Sequence, residues 1–157
     1  MSHLFTVVRI IVLMTCLFCS SNLAGGQGEQ EPYAGIGEFY RSNGVPGLCG
    51  QVMNVEGKMA RIRGFINRDN IFDRKNYPNL PYEKFRVNDG KSGDSIEVWA
   101  VSEDNSAIFE KLFRNKCLAE KEIFVSGVVS GFDMPIMGTC RRGVRLEVKD
   151  PDNIFFK

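Results

Sequence analysis

Histidine is almost absent from this sequence of 157 residues, in which His3 is the single example. Histidine is the commonest general base, a common metal ligand and the usual partner of a nucleophilic serine or cysteine. Beyond residue 26 no Cys-x-x-Cys spacing occurs, and the sequence has no glycine-rich phosphate loop. We therefore expect no catalytic residues, no metal and no cofactor, and a hydrolase of unrecognised type is the least favoured interpretation.

Long apolar runs are missing as well. The apolar run at residues 10–18 is about half the ~20 residues that a membrane-spanning helix needs. Arg9 precedes this run and small residues at 24–26 follow it, a pattern typical of a secretory signal peptide. We expect residues 1–26 to be removed and the rest to be periplasmic or secreted, without a membrane span. Cleavage is expected after Gly26, with Ala24 and Ser21 as alternative positions.

Neither sign of charge is in excess, because the chain has 20 basic and 19 acidic residues. Arg9 is the only charged residue within 1–26, so 19 residues of each sign remain beyond it. A protein that binds phosphate backbones without sequence preference normally carries a clear basic excess. Any site for a polyanion must therefore be built from a local group of cations.

Alternating apolar residues predict five strands, and one apolar stripe predicts a helix between the third and the fourth. The predicted strands are residues 58–66, 83–88, 95–101, 122–130 and 144–149, and the predicted helix is residues 105–115. The helix stripe consists of Ile108, Phe109, Leu112 and Phe113. This order of elements is that of a five-stranded oligonucleotide/oligosaccharide-binding (OB) barrel with one capping helix.

The predicted domain organisation follows from these elements. We expect a mainly β chain with an OB-fold barrel over residues 58–150. Residues 27–57 are rich in Gly, Glu and Gln and are interpreted as an irregular lead-in, and residues 151–157 as a short C-terminal tail. Within the barrel, loops are expected at 67–82 and 131–143.

Four stretches carry a resemblance to a known family. Residues 85–90 and 95–98 form an apolar strand, an Asp-Gly turn and a second apolar strand. This resembles the second-to-third-strand hairpin of nucleic-acid-binding OB domains of the tRNA-anticodon-binding-like family, and residues 122–131 and 143–148 resemble its last two strands. The resemblance covers about 90 residues. It implies a non-catalytic binding module for single-stranded nucleic acid or another extended ligand, such as a glycan, and the predicted signal peptide makes this an exported module.

The site expected in such a barrel lies across strands two and three, between the loops after strands one and four. Trp99 would offer a stacking face there, with Arg86 and Lys84 on the same surface. The flanking loops would add cations, namely Arg68, Arg74, Lys75, Arg141 and Arg142. Stacking aromatics with flanking cations are typical of nonspecific single-strand binding.

A second interpretation has no nucleic-acid ligand. Four acidic residues dilute the positive charge of the predicted groove, namely Glu97, Asp69, Asp73 and Asp133. Trp99 on an outer strand face would then cover the lead-in or the tail. The protein would be a protein-interaction or cell-envelope assembly module with a protein partner.

Three cysteines lie beyond residue 26, and an odd number in an oxidising compartment predicts one disulfide and one leftover thiol. Cys49 precedes the first predicted strand, and Cys117 lies at the start of the fourth, which puts both at the closed end of the barrel. Cys140 lies in the loop at the open end. We therefore predict a disulfide between Cys49 and Cys117, with Cys140 as the free thiol.

Overall fold

The computed structural model describes residues 32–73, 75–79, 83–101, 106–114 and 120–157, apart from the side chains of Asn67, Arg68 and Ser106. The chain divides into two units, residues 1–31 and 32–157, and the described residues all belong to the second. The predicted signal peptide and its cleavage site lie outside the described residues, as do Arg74 and Cys117.

The described part of the chain is mainly β, as the sequence predicts. Its elements are β1 (Ala34–Gly35), α1 (Ile36–Asn43), β2 (Met59–Phe72), β3 (Glu83–Asn88), β4 (Ser95–Ala100), α2 (Ser106–Phe113), β5 (Ile123–Ile136), β6 (Thr139–Val148), a 3-10 helix (Pro151–Asn153) and β7 (Ile154–Phe156). None of the helices in these ranges is long and apolar enough to span a membrane.

Five strands form a closed sheet. Their order is β2-β3-β4-β6-β5, and β5 pairs back with β2 to complete the circuit. The β4–β6 pair is parallel, and the other four pairs of the circuit are antiparallel. Two short strands extend this sheet: β1 lies parallel to β2, and β7 lies antiparallel to β5.

The core lies inside the closed sheet, because alternate residues of each strand point inward. Ile62, Val98, Val125 and Leu146 are completely buried there. Three members of the predicted helix stripe, Ile108, Phe109 and Leu112, belong to the same core, so α2 covers one opening of the sheet. The fourth member, Phe113, is instead half exposed, because it follows the last buried position of a short helix.

Two predicted loops are partly strand. β2 continues to Phe72 beyond its predicted end at residue 66. β5 and β6 continue as a hairpin through residues 131–143, where a loop was predicted. The hairpin closes in a two-residue turn at Met137 and Gly138, which have φ values of 44° and 81°. Positive φ at both positions is what the tightest hairpin turns require, so a long loop is unnecessary.

The lead-in is not irregular throughout its described part. It contains α1, whose Ile36 and Phe39 are buried in the core. The N–H of Gly37 in the first turn donates to Asp89 Oδ2 at 3.1 Å. A carboxylate at the positive end of a helix is favourable, so the β3–β4 turn stabilises the start of α1.

The disulfide joins Cys49 to Cys140, with 5.4 Å between their Cα atoms, so the predicted pairing of Cys49 with Cys117 is wrong. The reason is the path of the lead-in. Its residues 47–48 lie along the extended hairpin, where the N–H of Arg142 donates to Gly47 O at 3.0 Å. The nine residues that separate Cys49 from β2 are enough to reach from the hairpin to the start of that strand. A disulfide is compatible with a secreted or periplasmic protein.

Candidate ligand-binding face

Six outward-facing side chains of three neighbouring strands form a continuous surface, which we call the Trp99 face. They are Lys84 and Arg86 on β3, Glu97 and Trp99 on β4, and Arg145 and Glu147 on β6. The strand register places Lys84 opposite Trp99, Arg86 opposite Glu97, Glu97 opposite Arg145, and Trp99 opposite Glu147. Cross-strand neighbours of this kind are close enough for their side chains to interact.

Glu97 is the hydrogen-bonding centre of the face. Trp99 Nε1 donates to its Oε2 at 2.9 Å, and Lys84 Nζ donates to its Oε1 at 2.8 Å. Arg86 Nη2 donates to Oε1 at 3.4 Å. Burial raises the pKa of Glu97, but the hydrogen bonds from Lys84, Trp99 and Arg86 outweigh burial and hold this pKa below its ordinary value. Glu97 therefore stays charged and fixes the orientation of the indole.

Arg145 covers the indole of Trp99. Its guanidinium carbon lies 3.8 Å from the ring centroid, a stacking geometry in which cation and ring attract each other. Glu147 Oε1 holds the guanidinium in place, because Nε donates to it at 3.0 Å and Nη2 at 2.7 Å. On the side of β3, Lys84 Nζ lies 5.8 Å from the same centroid. A ligand that approaches Trp99 meets Arg145 first.

Aromatic side chains border the face on two sides. Phe132 of β5 lies 6.0 Å from Trp99 between ring centroids. Phe72 at the end of β2 lies 5.3 Å from Tyr77, and Lys84 Nζ lies 5.5 Å from the Phe72 centroid. A hollow of about 80 Å³ beside Phe72 is lined by Asn70, Phe72, Lys84, Phe85, Arg86 and Glu97. The face therefore has polar groups at its centre and aromatic groups at its borders.

The charges of the Trp99 face are nearly balanced. Its three cations are Lys84, Arg86 and Arg145, and each has a carboxylate oxygen within 3.4 Å. The two carboxylates are those of Glu97 and Glu147. A phosphate chain gains affinity by neutralising cations and releasing its counterions, and cations that are already paired contribute less to this effect.

Arg142 lies on the other face of the β5–β6 hairpin, away from Trp99. Its Nε and Nη2 donate to the two carboxylate oxygens of Glu56, at 2.9 and 2.5 Å, and its Nη1 donates to Asp133 at 2.8 Å. The hydrogen bonds from Arg142 hold the pKa of Glu56 below its ordinary value, and the same hydrogen bonds to Glu56 raise the pKa of Arg142. Arg142 thus joins the lead-in to the hairpin.

The predicted ligand-binding residues are distributed unevenly. Trp99, Arg86 and Lys84 lie together on the Trp99 face, Arg141 is exposed farther out on the hairpin, and Lys75 is exposed in the turn after β2. Arg142 lies on the opposite face of the hairpin. Arg74 and the side chain of Arg68 lie outside the described part of the chain. A role in ligand binding stays a prediction for each of these eight residues.

Sequence reasoning missed four contributors to the face, namely Glu97 as its centre, Arg145, Glu147 and Phe132. A signal for two of them was present. Arg145 and Glu147 alternate with the apolar core residues of the last predicted strand. That strand neighbours the third one in the expected barrel, so both side chains could have been assigned to the surface that carries Trp99.

A larger hollow of about 240 Å³ lies beside β1 and the β3–β4 turn. Its charged lining is balanced, with Glu38, Asp89, Glu122, Arg41, Arg63 and Lys91. Arg63 pairs with Glu122 at 3.2 Å, and Asp89 accepts backbone N–H groups of Gly37 and Lys91. Across the residues with assigned positions, no group of three or more His, Cys, Asp or Glu side chains could hold a metal ion.

Comparisons with known proteins add little to this geometry. No family model and no curated protein matches the chain. Among solved structures, the chain is similar to "OBody AM3L09 bound to hen egg-white lysozyme", with 15% sequence identity and a TM-score of 0.45. This similarity covers 66% of the present chain and 84% of the other. A likeness of this strength carries no argument about fold or ligand.

Proposed function

We propose that this protein is an exported, non-catalytic binding module of the OB type, which holds an extended ligand across the Trp99 face. The observation that carries the proposal is the fixed indole of Trp99 at the centre of a surface built from three neighbouring strands. The indole Nε1 donates to Glu97 Oε2 at 2.9 Å, and the guanidinium carbon of Arg145 lies 3.8 Å from the ring centroid. A ring that is held by its neighbours loses little conformational freedom when a ligand binds.

Strand topology supports the OB assignment. In the circuit β2-β3-β4-β6-β5, the parallel pair is β4 and β6, which are its third and fifth strands in chain order, and the helix α2 lies between β4 and β5. This is the arrangement expected of a five-stranded Greek-key barrel with one capping helix. The ligand of such a barrel crosses the second and third strands, which here carry Lys84, Arg86 and Trp99.

The export and non-catalytic parts of the proposal rest on the sequence and on the disulfide. Residues 9–26 have the pattern of a secretory signal, and the Cys49–Cys140 disulfide fits a periplasmic or secreted location. Beyond this pattern the sequence contains no histidine for general-base or nucleophile chemistry.

Single-stranded nucleic acid is one candidate for this extended ligand, and one observation favours it. The guanidinium carbon of Arg145 lies over the indole of Trp99, 3.8 Å from the ring centroid. Nucleic-acid bases stack on guanidinium planes as well as on aromatic rings. Lys84 and Arg86 lie beside this stack and could contact phosphates.

Trp99 emission provides a direct test, because the chain has a single tryptophan. We would titrate the purified protein with oligo(dT) of about 20 nucleotides, with a neutral glycan oligomer and with a displayed peptide library. The expected result is a saturable change of Trp99 emission with at least one of the three, lost in Arg86→Ala combined with Arg145→Ala. Arg63→Ala, which changes an exposed arginine on β2, is the matched control. No emission change with any probe would contradict the proposal.

A further inference from the structure

An apolar stripe continues outward from the Trp99 face along β5. Phe132, Met134 and Ile136 occupy alternate positions of this strand and so share one side of the hairpin, which we call the apolar arm. Phe132 contacts Trp99 at 6.0 Å, and its ring lies over Gly143, where a Cβ atom would collide with it. Ile136 is 46% exposed and the neighbouring Met137 fully exposed.

The other side of the same hairpin is fastened to the body of the protein. Arg142 holds Glu56 and Asp133 there, and the disulfide joins Cys49 to Cys140. The side chains of Arg142 and Glu56 are only 11% and 12% exposed. A hairpin that projects apolar side chains would ordinarily be mobile, and these bonds keep this one rigid before any ligand arrives. Rigidity in advance lowers the entropy cost of binding.

We infer that the extended ligand is a polypeptide segment whose alternate apolar side chains dock on the apolar arm, with its polar groups toward Arg145 and Glu97. This inference rests on the proposed binding function of the Trp99 face. The arm spans about 13 Å from Phe132 to Ile136, at the ~6.8 Å spacing by which an extended peptide repeats side chains on one side. The two surfaces therefore match in spacing.

Charge supports a peptide over a polyanion. Residues 134–140 at the end of the hairpin contain no charged side chain, and Arg141, opposite Met134, is the one cation on the apolar side of residues 131–143. The cations of the Trp99 face are each paired with Glu97 or Glu147. A ligand that lies along both surfaces is in contact with apolar groups at one end and with paired charges at the other. A mixed polypeptide satisfies both, whereas a polyanion would bring a phosphate at every residue to an apolar side with a single cation.

Docking on the face is favoured over pairing with the strand edge. The N–H of Gly131 points away from β6 and donates to Glu56, so the N–H of every second residue points the same way. Position 135 follows this alternation, and Pro135 has no N–H to offer there. Proline on an edge strand discourages the addition of another strand, including one from a second copy of this chain.

The test begins with selection of peptides from a random displayed library on the purified protein. The selected peptides are synthesised and titrated while Trp99 emission is followed. We expect sequences with apolar residues at alternate positions, affinity that changes little with salt, and a loss of about tenfold or more in Ile136→Lys, because an Ile side chain that the bound peptide would cover is replaced by a cation. Met59→Lys, which replaces a 57% exposed Met at the start of β2, is the matched control and should bind normally.

Each other outcome contradicts the peptide inference in a recognisable way. If oligo(dT) changes Trp99 emission and Ile136→Lys leaves its affinity unchanged, the proposed function stands and the ligand is nucleic acid. If sedimentation detects a dimer that Ile136→Lys abolishes, a second copy covers the arm. If selected peptides lack alternation or bind Ile136→Lys normally, the arm is not their site. If no probe changes Trp99 emission, the proposed function fails as well.

Discussion

Arg145 stacks on Trp99, with 3.8 Å between the guanidinium carbon and the centroid of the ring, and Glu147 holds the guanidinium from behind. The two side chains come from strands β4 and β6, which pair in parallel. A ligand on the Trp99 face therefore contacts the guanidinium of Arg145, because this group covers the indole of Trp99.

Removal of Arg145 should therefore uncover the indole. In Arg145→Ala we expect Trp99 emission to move to longer wavelength and quenching by neutral acrylamide to increase, since water and quencher reach the ring directly. Arg63→Ala serves as the control, because Arg63 pairs with Glu122 elsewhere on the sheet and should leave emission unchanged. Identical quenching of Arg145→Ala and the unchanged protein would show that Arg145 does not cover Trp99 in solution.

The disulfide should contribute substantially to stability, because it links residues 91 positions apart. Closing a loop of that length restricts the unfolded chain, and native disulfides typically contribute about 2–4 kcal/mol. We expect the free energy of unfolding by urea to fall by about this amount when Cys49 and Cys140 are both changed to Ser. Peptide mapping of the unchanged protein should recover Cys49 linked to Cys140, and a Cys49–Cys117 peptide would contradict the structure.

Acid should destabilise the fold. Hydrogen bonds from Arg142 to Glu56, and from the Lys91 and Gly37 amides to Asp89, hold the pKa of each carboxyl below its ordinary value. A carboxyl with a lowered folded-state pKa stabilises the protein fully above its unfolded pKa of about 4, and this stabilisation is lost as pH falls through the folded value.

The measurement is the free energy of unfolding by urea at several pH values. We expect it to be nearly constant from about pH 7 to pH 5 and to fall below about pH 4. Glu56→Gln should be less stable at neutral pH and lose less on acidification, because the charged partner of Arg142 is already gone. Unchanged stability from about pH 5 to pH 3 would contradict this account of Glu56 and Asp89.

Gly143 should be required for the position of Phe132. A Cβ atom at residue 143 would lie against the ring of Phe132, which crosses the backbone at that point. Gly143→Val should therefore displace the ring, alter Trp99 emission and lower the free energy of unfolding by about 1–3 kcal/mol, a usual cost of overpacking. Thr139→Ser, a change at an exposed site on the same strand that keeps the hydroxyl donating to Ile136 O, is the control. Normal emission and stability in Gly143→Val would mean that Phe132 lies elsewhere.

The sequence predicted the strands that alternate cleanly. The observed bounds of β3, Glu83–Asn88, are those predicted, and β4 is one residue shorter than expected. Both strands place apolar side chains inward and charged ones outward, and an Asp-Gly turn separates them. Under these conditions the period of two is unambiguous.

The hairpin extension escaped prediction because its signals conflict. Phe132, Met134 and Ile136 alternate as a strand should, but the glycines nearby and Pro135 are typical of loops. Because the extension was missed, Cys140 was assigned to a loop at the open end of the barrel. Its true partner, Cys49, was assigned to the closed end. The missed hairpin extension and the wrong position of the lead-in together produced the wrong disulfide.

The site was predicted in part for a similar reason. Alternation within one strand places Trp99 with Glu97, and the Asp-Gly turn places them opposite Lys84 and Arg86. The contribution of Arg145 depends on a parallel pairing between strands that are far apart in sequence. The contribution of Arg142 depends on Glu56, which lies 86 residues away. Long-range pairings of this kind leave no periodic signal.

The most direct test of the account is chemical-shift mapping of the ¹⁵N-labelled protein during titration with oligo(dT) and with a peptide selected on the protein. The account predicts the largest shifts at the Trp99 indole N–H and at the backbone amides of residues 84–86, 132–134, 136 and 145. Shifts confined to the hollow beside Arg41 and Lys91, or no shift near Trp99 with either ligand, would contradict the claim that this face is the binding site.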